Sequence, residues 1–237
     1  MTRDWLKILS FHRRFAYLRS TEGMLGCMKR FSEEQKRKAI YVILLVLYWL
    51  GGYFVTNLLS QGREFSIMYS IVDKWIPFVP QWLYVYMAIY LVVFSPLLIV
   101  KDFITFRQLV RAYVFVFSIS FLVFLIYPVK MIRPLIAPQD FSARMVAVLY
   151  SVDKPYNCFP SIHVSAIFLA ALVCLRVRWK AGIIILISSI MISIAALYTK
   201  QHYFVDVLGG FLVALGGYDI FFVRSKKWQQ KGINNRD

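Results

Sequence analysis

The chain has 237 residues, 59% of them hydrophobic and 17% aromatic, with a mean hydropathy of +0.61. That balance excludes an ordinary water-soluble domain and points to a membrane protein. A formal net charge of +16 invites a nucleic-acid partner, but the placement of the charges argues for another cause.

Residues 1–38 read as a basic N-terminal segment. Within it DWLKILSFHRRFAYL mixes bulky apolar and basic residues at helical spacing, which suits an interfacial helix or, equally, a disordered basic tail. Windows of about 20 apolar residues, enough to cross a bilayer, follow at Ala39–Leu59, Trp82–Val100, Leu109–Val129, Ile162–Leu175, Ala181–Tyr198 and Tyr203–Val223. The fourth reaches a useful length only if it starts near Ser161 and continues to Val177. Backbone groups in lipid have to be satisfied within the segment. The expectation is therefore all-α: a polytopic six-transmembrane-helix bundle over residues 39–223, closed by a basic tail at 224–237. The first run is too long for a signal-peptide core and lacks a small-residue cleavage site, so it should persist as a span. No internal repeat or low-complexity tract is visible, and Cys27, Cys158 and Cys174 suggest neither a disulfide framework nor a metal site.

In a six-span chain, 21 of the 28 Lys and Arg fall on the side of the termini and seven on the other. The positive-inside rule then places both termini in the cytoplasm. Membrane orientation explains the basic excess, so the expected partners are membrane lipids and not nucleic acid.

Three polar stretches converge on the extracytoplasmic side of this topology. The third span leaves at YPVKMIRP, with Lys130 and Arg133; the 130–160 loop ends in DKPYNCFPSIH; and TKQHYFVD joins spans five and six. In PSIH, Pro160 and Ser161 suit a helix start, whose free N–H groups and dipole make an anion seat with His163 in the first turn. Taken alone, the same residues make an ordinary cap with an interfacial histidine. His202 and Asp206 are four apart and would share a helix face, the carboxylate fixing the tautomer and leaving Nε2 free as nucleophile or base. A structural His–Asp pair is the alternative, but ionisable groups at membrane depth are expensive and usually functional. With Lys130, Arg133 and Lys200 nearby, the substrate that best fits is a phosphate ester. Zinc is the competing reading of two histidines and an aspartate, and no H-E-x-x-H or cysteine pair supports it.

Around these stretches, Asn157 and Asp153 are expected to serve in loop hydrogen bonds, and Pro77 and Pro80 to end an outer interfacial segment. Gly209, Gly210, Gly216 and Gly217 recur at a seven-residue interval and suggest a close helix–helix face. Asp219 is expected to reach water at the cytoplasmic end of span six.

At these residues the sequence resembles the type 2 phosphatidic acid phosphatase (PAP2) superfamily, with its K-x6-RP, PSGH and SR-x5-H-x3-D motifs. PSIH at 160–163 matches the second motif, with Ile162 in place of glycine; His202 and Asp206 match H-x3-D; Arg133–Pro134 matches the end of the first. DKWIPFVPQWLYVY, at 73–86, is similar to an extracytoplasmic stretch of bacterial members. The resemblance implies a six-span core related to vanadium haloperoxidases, in a bacterial inner membrane, acting on a lipid phosphate without metal or other cofactor. It implies that His202 attacks phosphorus with Asp206 orienting it, that His163 protonates the leaving oxygen, and that Arg133 and the Ser161 region hold the phosphoryl oxygens. Two motif cations are missing: the first-motif lysine falls on Ile126 and the third-motif SR on Ala195 and Ala196. Lys130 and Lys200 are the expected substitutes. The TKQHY pattern is also similar to inositol phosphotransferases, so transfer to an alcohol stands beside hydrolysis. A non-catalytic transport or structural role is the reading outside enzymes.

Overall fold

Lipid offers a backbone no partner but itself, and the described residues are mostly helical. The computed structural model describes residues 21–137 and 140–224; it is 76% helix and has no strand among them. The segment DWLKILSFHRRFAYL and the tail beyond Arg224 lie outside the described residues. The described residues fall into two compact units, divided between Leu44 and Leu45.

The elements, in order, are α1 (Thr21–Ser60), α2 (Ile71–Trp75), a 3₁₀ turn (Pro80–Trp82), α3 (Leu83–Met87), α4 (Ile89–Ile99), α5 (Phe103–Ile126), α6 (Phe141–Val152), α7 (Ile162–Val177), α8 (Trp179–Tyr198) and α9 (Phe204–Tyr218), which runs into a π turn (Asp219–Arg224). Among the described residues five segments are long and apolar enough to cross a membrane: Glu33–Ser60, Pro80–Ile99, Phe103–Ile126, Trp179–Tyr198 and Phe204–Arg224. These account for all the expected spans but the fourth.

That fourth span is α7, with only 16 residues, starting after Ser161 and ending at Val177. It packs against α4, α5, α8 and α9. Its side chains are buried on every face, from Val164 and Ile167 to Ala171 and Cys174. A helix apolar all round belongs inside a bundle, so α7 forms the core around which the longer helices stand. By contrast α1 leaves Leu47, Val55 and Leu58 more than half exposed, as side chains that meet lipid can be.

The expected second span is broken into pieces. At Ala88 the ladder changes to i−3 bonds, Ala88 N to Val85 O at 3.2 Å and Leu91 N to Ala88 O at 3.0 Å, which separates α3 from α4. Pro96 cannot donate to Val92, and the hydroxyl of Ser95 donates to that carbonyl instead, at 2.7 Å. Helix α5 is capped by Asp102, whose carboxylate accepts from Thr105 N at 2.7 Å. It stops at Ile126, ahead of Pro128, and Val129 then pairs with Ser66 in an isolated bridge. Helix α6 was not expected in the 130–160 loop; Asp140 caps it by accepting from Ala143 N at 2.6 Å. At the far end Asp219 is half-exposed and paired with Arg224 Nε at 2.5 Å.

The repeated glycines do not form one face. A Cβ on Gly210 would lie 2.5 Å from Ser161 O and 3.0 Å from Val164 Cβ, so α9 crosses the start of α7 backbone to backbone. Gly209 and Gly217 lie against the side chains of Phe159 and Val116, whereas Gly216 has nothing within 4 Å. Gly210→Ala is therefore expected to lower stability by about 1–3 kcal/mol through overpacking and to reduce activity, since it separates two of the polar stretches. Gly216→Ala should stay within about 0.5 kcal/mol of the parent. Thermal denaturation in detergent checks the pair.

Candidate active site

The link between α8 and α9 is set by the way α8 ends. Gln201 N donates to Ala196 O at 2.9 Å and Lys200 N to Leu197 O at 3.2 Å, with Lys200 at φ 50°. This is a Schellman ending with lysine in the left-handed position that glycine usually takes. The chain then enters α9 through a capping box: Asp206, third in the helix, accepts from Tyr203 N at 2.8 Å. Asp73 of the DKWIPFVPQWLYVY stretch steadies the same turn, accepting from Phe204 N at 2.9 Å.

His202 therefore lies in the link and not on a helix face shared with Asp206, which corrects the reason expected for their contact. Its Nδ1 lies 3.1 Å from Cys158 O and 3.5 Å from Asp206 Oδ2. A carbonyl can only accept, so Nδ1 carries the hydrogen and Nε2 keeps its lone pair. The closer partner is thus the main chain of the loop before PSIH, and the carboxylate stands behind it. Asp206 is fully buried, and its Oδ1 has no hydrogen-bond partner.

The PSIH stretch is tied directly to this turn. Ser161 N donates to Asp206 O at 3.0 Å, while Ser161 Oγ caps α7 by accepting from Val164 N at 3.3 Å. Ser161 is wholly buried, so its hydroxyl serves the helix. Asn157, at φ 59°, anchors the loop before it by donating to Thr56 Oγ1 at 2.9 Å on α1. His163 follows in the first turn of α7, its ring 6.0 Å from that of His202 and inclined at 61°. Tyr86 and Tyr53 flank it at 6.0 and 6.4 Å.

Arg133 approaches from the third stretch. Its Nη1 donates to Asp153 O at 2.5 Å and its Nη2 to Gln201 Oε1 at 2.7 Å, with the guanidinium 4.2 Å over the Tyr150 ring. The Asp153 carboxylate lies 4.0 Å from Nη2 and also accepts from the Tyr53 hydroxyl. Arg133, His163 and His202 line one hollow. Tyr53, Asp153, Lys154 and Gln201 complete much of its wall.

The two substitute lysines are placed elsewhere. Lys130 Nζ lies over the rings of Phe65 and Tyr156, at 4.5 and 5.4 Å, and does not line the hollow. Lys200 Nζ donates to Ile76 O at 2.5 Å; burial pulls its pKa down, and the Asp73 carboxylate works the other way. Ser161, likewise, is behind the wall and not in it. Lys154, Gln201 and Tyr53 are lining residues that the sequence reading did not single out. Gln201 and Lys154 carried a signal, as members of the converging polar stretches, and Tyr53 carried none.

What the hollow can do follows from its unpaired atoms. Arg133, His163 and Gln201 all line it, and each has a buried nitrogen without a hydrogen-bond partner: Arg133 Nε, His163 Nδ1 and Gln201 Nε2. Buried polar atoms are normally satisfied, and three unpaired nitrogens on residues of one wall, from three separate segments, suit the oxygens of an anion. Among the described residues no three His, Cys, Asp or Glu side chains gather as metal ligands would. Cys158 is buried beside the site, and burial pushes its thiol well above the ordinary range.

No curated protein and no solved structure matches the chain. A family model described as the PAP2 superfamily matches residues 70–220, a span that takes in all three polar stretches and well over half of the sequence. The chain belongs to the PAP2 superfamily, and its chemistry is of the phosphatase type in that broad sense.

Proposed function

We propose that the protein is an integral membrane lipid phosphatase that removes phosphate from a lipid phosphate or diphosphate at the extracytoplasmic leaflet of a bacterial inner membrane. The observation that carries this reading is the pair of imidazoles 6.0 Å apart on one hollow that also holds Arg133. The Nε2 lone pair of His202 attacks phosphorus, forming a P–N bond as the bond to the lipid oxygen breaks. His163, protonated, gives its proton to that leaving oxygen, and Arg133 stabilises the charge spread over the phosphoryl oxygens. His163, now neutral, takes a proton from water, whose oxygen attacks phosphorus and releases phosphate from His202. The Cys158 carbonyl, with Asp206 behind it, holds His202 in the tautomer this requires. No step calls for a metal.

An alcohol in place of water would make the same intermediate a phosphotransferase. One assay reads both outcomes: purified protein in detergent with EDTA and labelled lipid phosphates, with and without alcohols such as inositol. Free phosphate supports hydrolysis, and acceptor-dependent label transfer supports the phosphotransferase. Inactivity with every lipid contradicts both and leaves a non-catalytic membrane protein. The outer placement of the site rests on the asymmetry of Lys and Arg between the two sides.

A further inference from the structure

Gln201 is 2% exposed, so its long amide side chain is enclosed and both ends need partners. Its Oε1 has one, Arg133 Nη2 at 2.7 Å. Because a guanidinium only donates, this bond fixes which end of the amide is oxygen. The other end, Nε2, is then a buried pair of N–H donors with nothing to receive them, on a residue that lines the hollow.

The backbone under this side chain is rigidly defined. Gln201 N is held by Ala196 O, and the next residue is His202. The amide and the imidazole thus leave one short link fixed at both ends, by the termination of α8 and by the capping box of α9. Lys130 and Lys200, meanwhile, have their ammonium groups over Phe65 and Tyr156 and against Ile76 O. Donors to the hollow have to come from other residues, and Gln201 already stands there.

Resting on the reading of the hollow as a phosphoryl site, we infer that Gln201 is a substrate-binding residue whose Nε2 donates to an oxygen of the phosphoryl group that His202 attacks. Its Oε1 at the same time holds Arg133, so one side chain sets the spacing between the guanidinium and the nucleophile. The donor is neutral, so it binds an oxygen without adding charge to a wall where Asp153 already offsets Arg133. A buried water filling the same space is the competing account of the unpaired amide.

Gln201→Glu tests the assignment, and Gln201→Met, which adds no charge, is measured beside it. Gln201→Glu keeps an acceptor for Arg133 and the size of the side chain, replaces the free donor with an acceptor and adds a negative charge, so both the lost donor and repulsion weaken anion binding. Full-length protein in detergent is titrated with orthovanadate, a phosphate mimic, following thermal stabilisation and inhibition of lipid phosphate turnover. The expected result is a melting temperature close to wild type, with vanadate affinity and kcat each lowered by about 100-fold or more. Vanadate binding within about threefold of wild type, in a folded variant, overturns the assignment, because losing one donor to the anion has to register more strongly. Gln201→Met, of similar length with neither donor nor charge, is expected to lose vanadate binding by about 100-fold as well; retention in a folded variant overturns the assignment. A wild-type protein that neither binds vanadate nor turns over any phosphate ester overturns the phosphoryl site itself. That outcome is distinct from the failure of Gln201 alone.

Discussion

His202→Ala is expected to lower kcat by on the order of 10⁴- to 10⁶-fold, the loss seen when a nucleophile is removed from a covalent mechanism. The reason is specific to the site. Cys158 O takes the Nδ1 hydrogen, Nε2 is left with its lone pair on the hollow, and no other described side chain there combines a free lone pair with that fixed orientation. The fold should survive, because Asp206 keeps its bond from Tyr203 N and its carbonyl keeps Ser161 N. Single-turnover assays with labelled lipid phosphate read the effect, with a melting curve as control. Residual turnover above about 1% in a folded variant removes His202 as the nucleophile.

Arg133→Lys is the second large effect, with a loss of about 100-fold or more in kcat/KM expected despite the retained charge. The guanidinium makes several contacts at once: to Asp153 O, to Gln201 Oε1 and across the Tyr150 ring, while Nε is buried without a partner. An ammonium is a point charge on a flexible stem and cannot span these partners. Gln201 and Asp153 would then lose the group that fixes them. A lysine variant with activity within about threefold of wild type would mean that charge alone matters at this position.

The helices were legible because lipid makes span length and apolarity unavoidable sequence signals. Counting spans was also enough to bring Arg133, PSIH and TKQHYFVD to one end of the bundle, where the structure joins Ser161 N to Asp206 O. What counting cannot give is the direction of a side chain. Lys200 was expected at phosphate because it sits two residues from His202. It instead occupies the left-handed end of α8, from which its chain runs to Ile76 O. Lys130 precedes Arg133 by three residues in extended chain and lies over aromatic rings.

The histidine's main partner was hidden for a different reason. Cys158 O is a main-chain atom 44 residues away, and no residue type announces it. Spacing gave the right neighbours, His202 and Asp206, for the wrong reason: a capping box brings them together, not a shared helix face. Helix α6 was missed because 12 residues are too few for a span, although Asp140 is a recognisable cap. The break at Ala88 has no Gly or Pro to mark it; Pro96, the visible breaker, sits inside α4 and is accommodated by Ser95.

The central claim is a covalent one, and trapping the intermediate tests it most directly. Full-length protein in detergent with EDTA is given lipid phosphate labelled in the phosphoryl group, quenched in alkali within one turnover and digested for peptide mapping. Acid-labile, alkali-stable label on the peptide containing His202, absent from His202→Ala, is the predicted result. Rapid turnover with no label on that histidine, or with label on another side chain, would contradict the account.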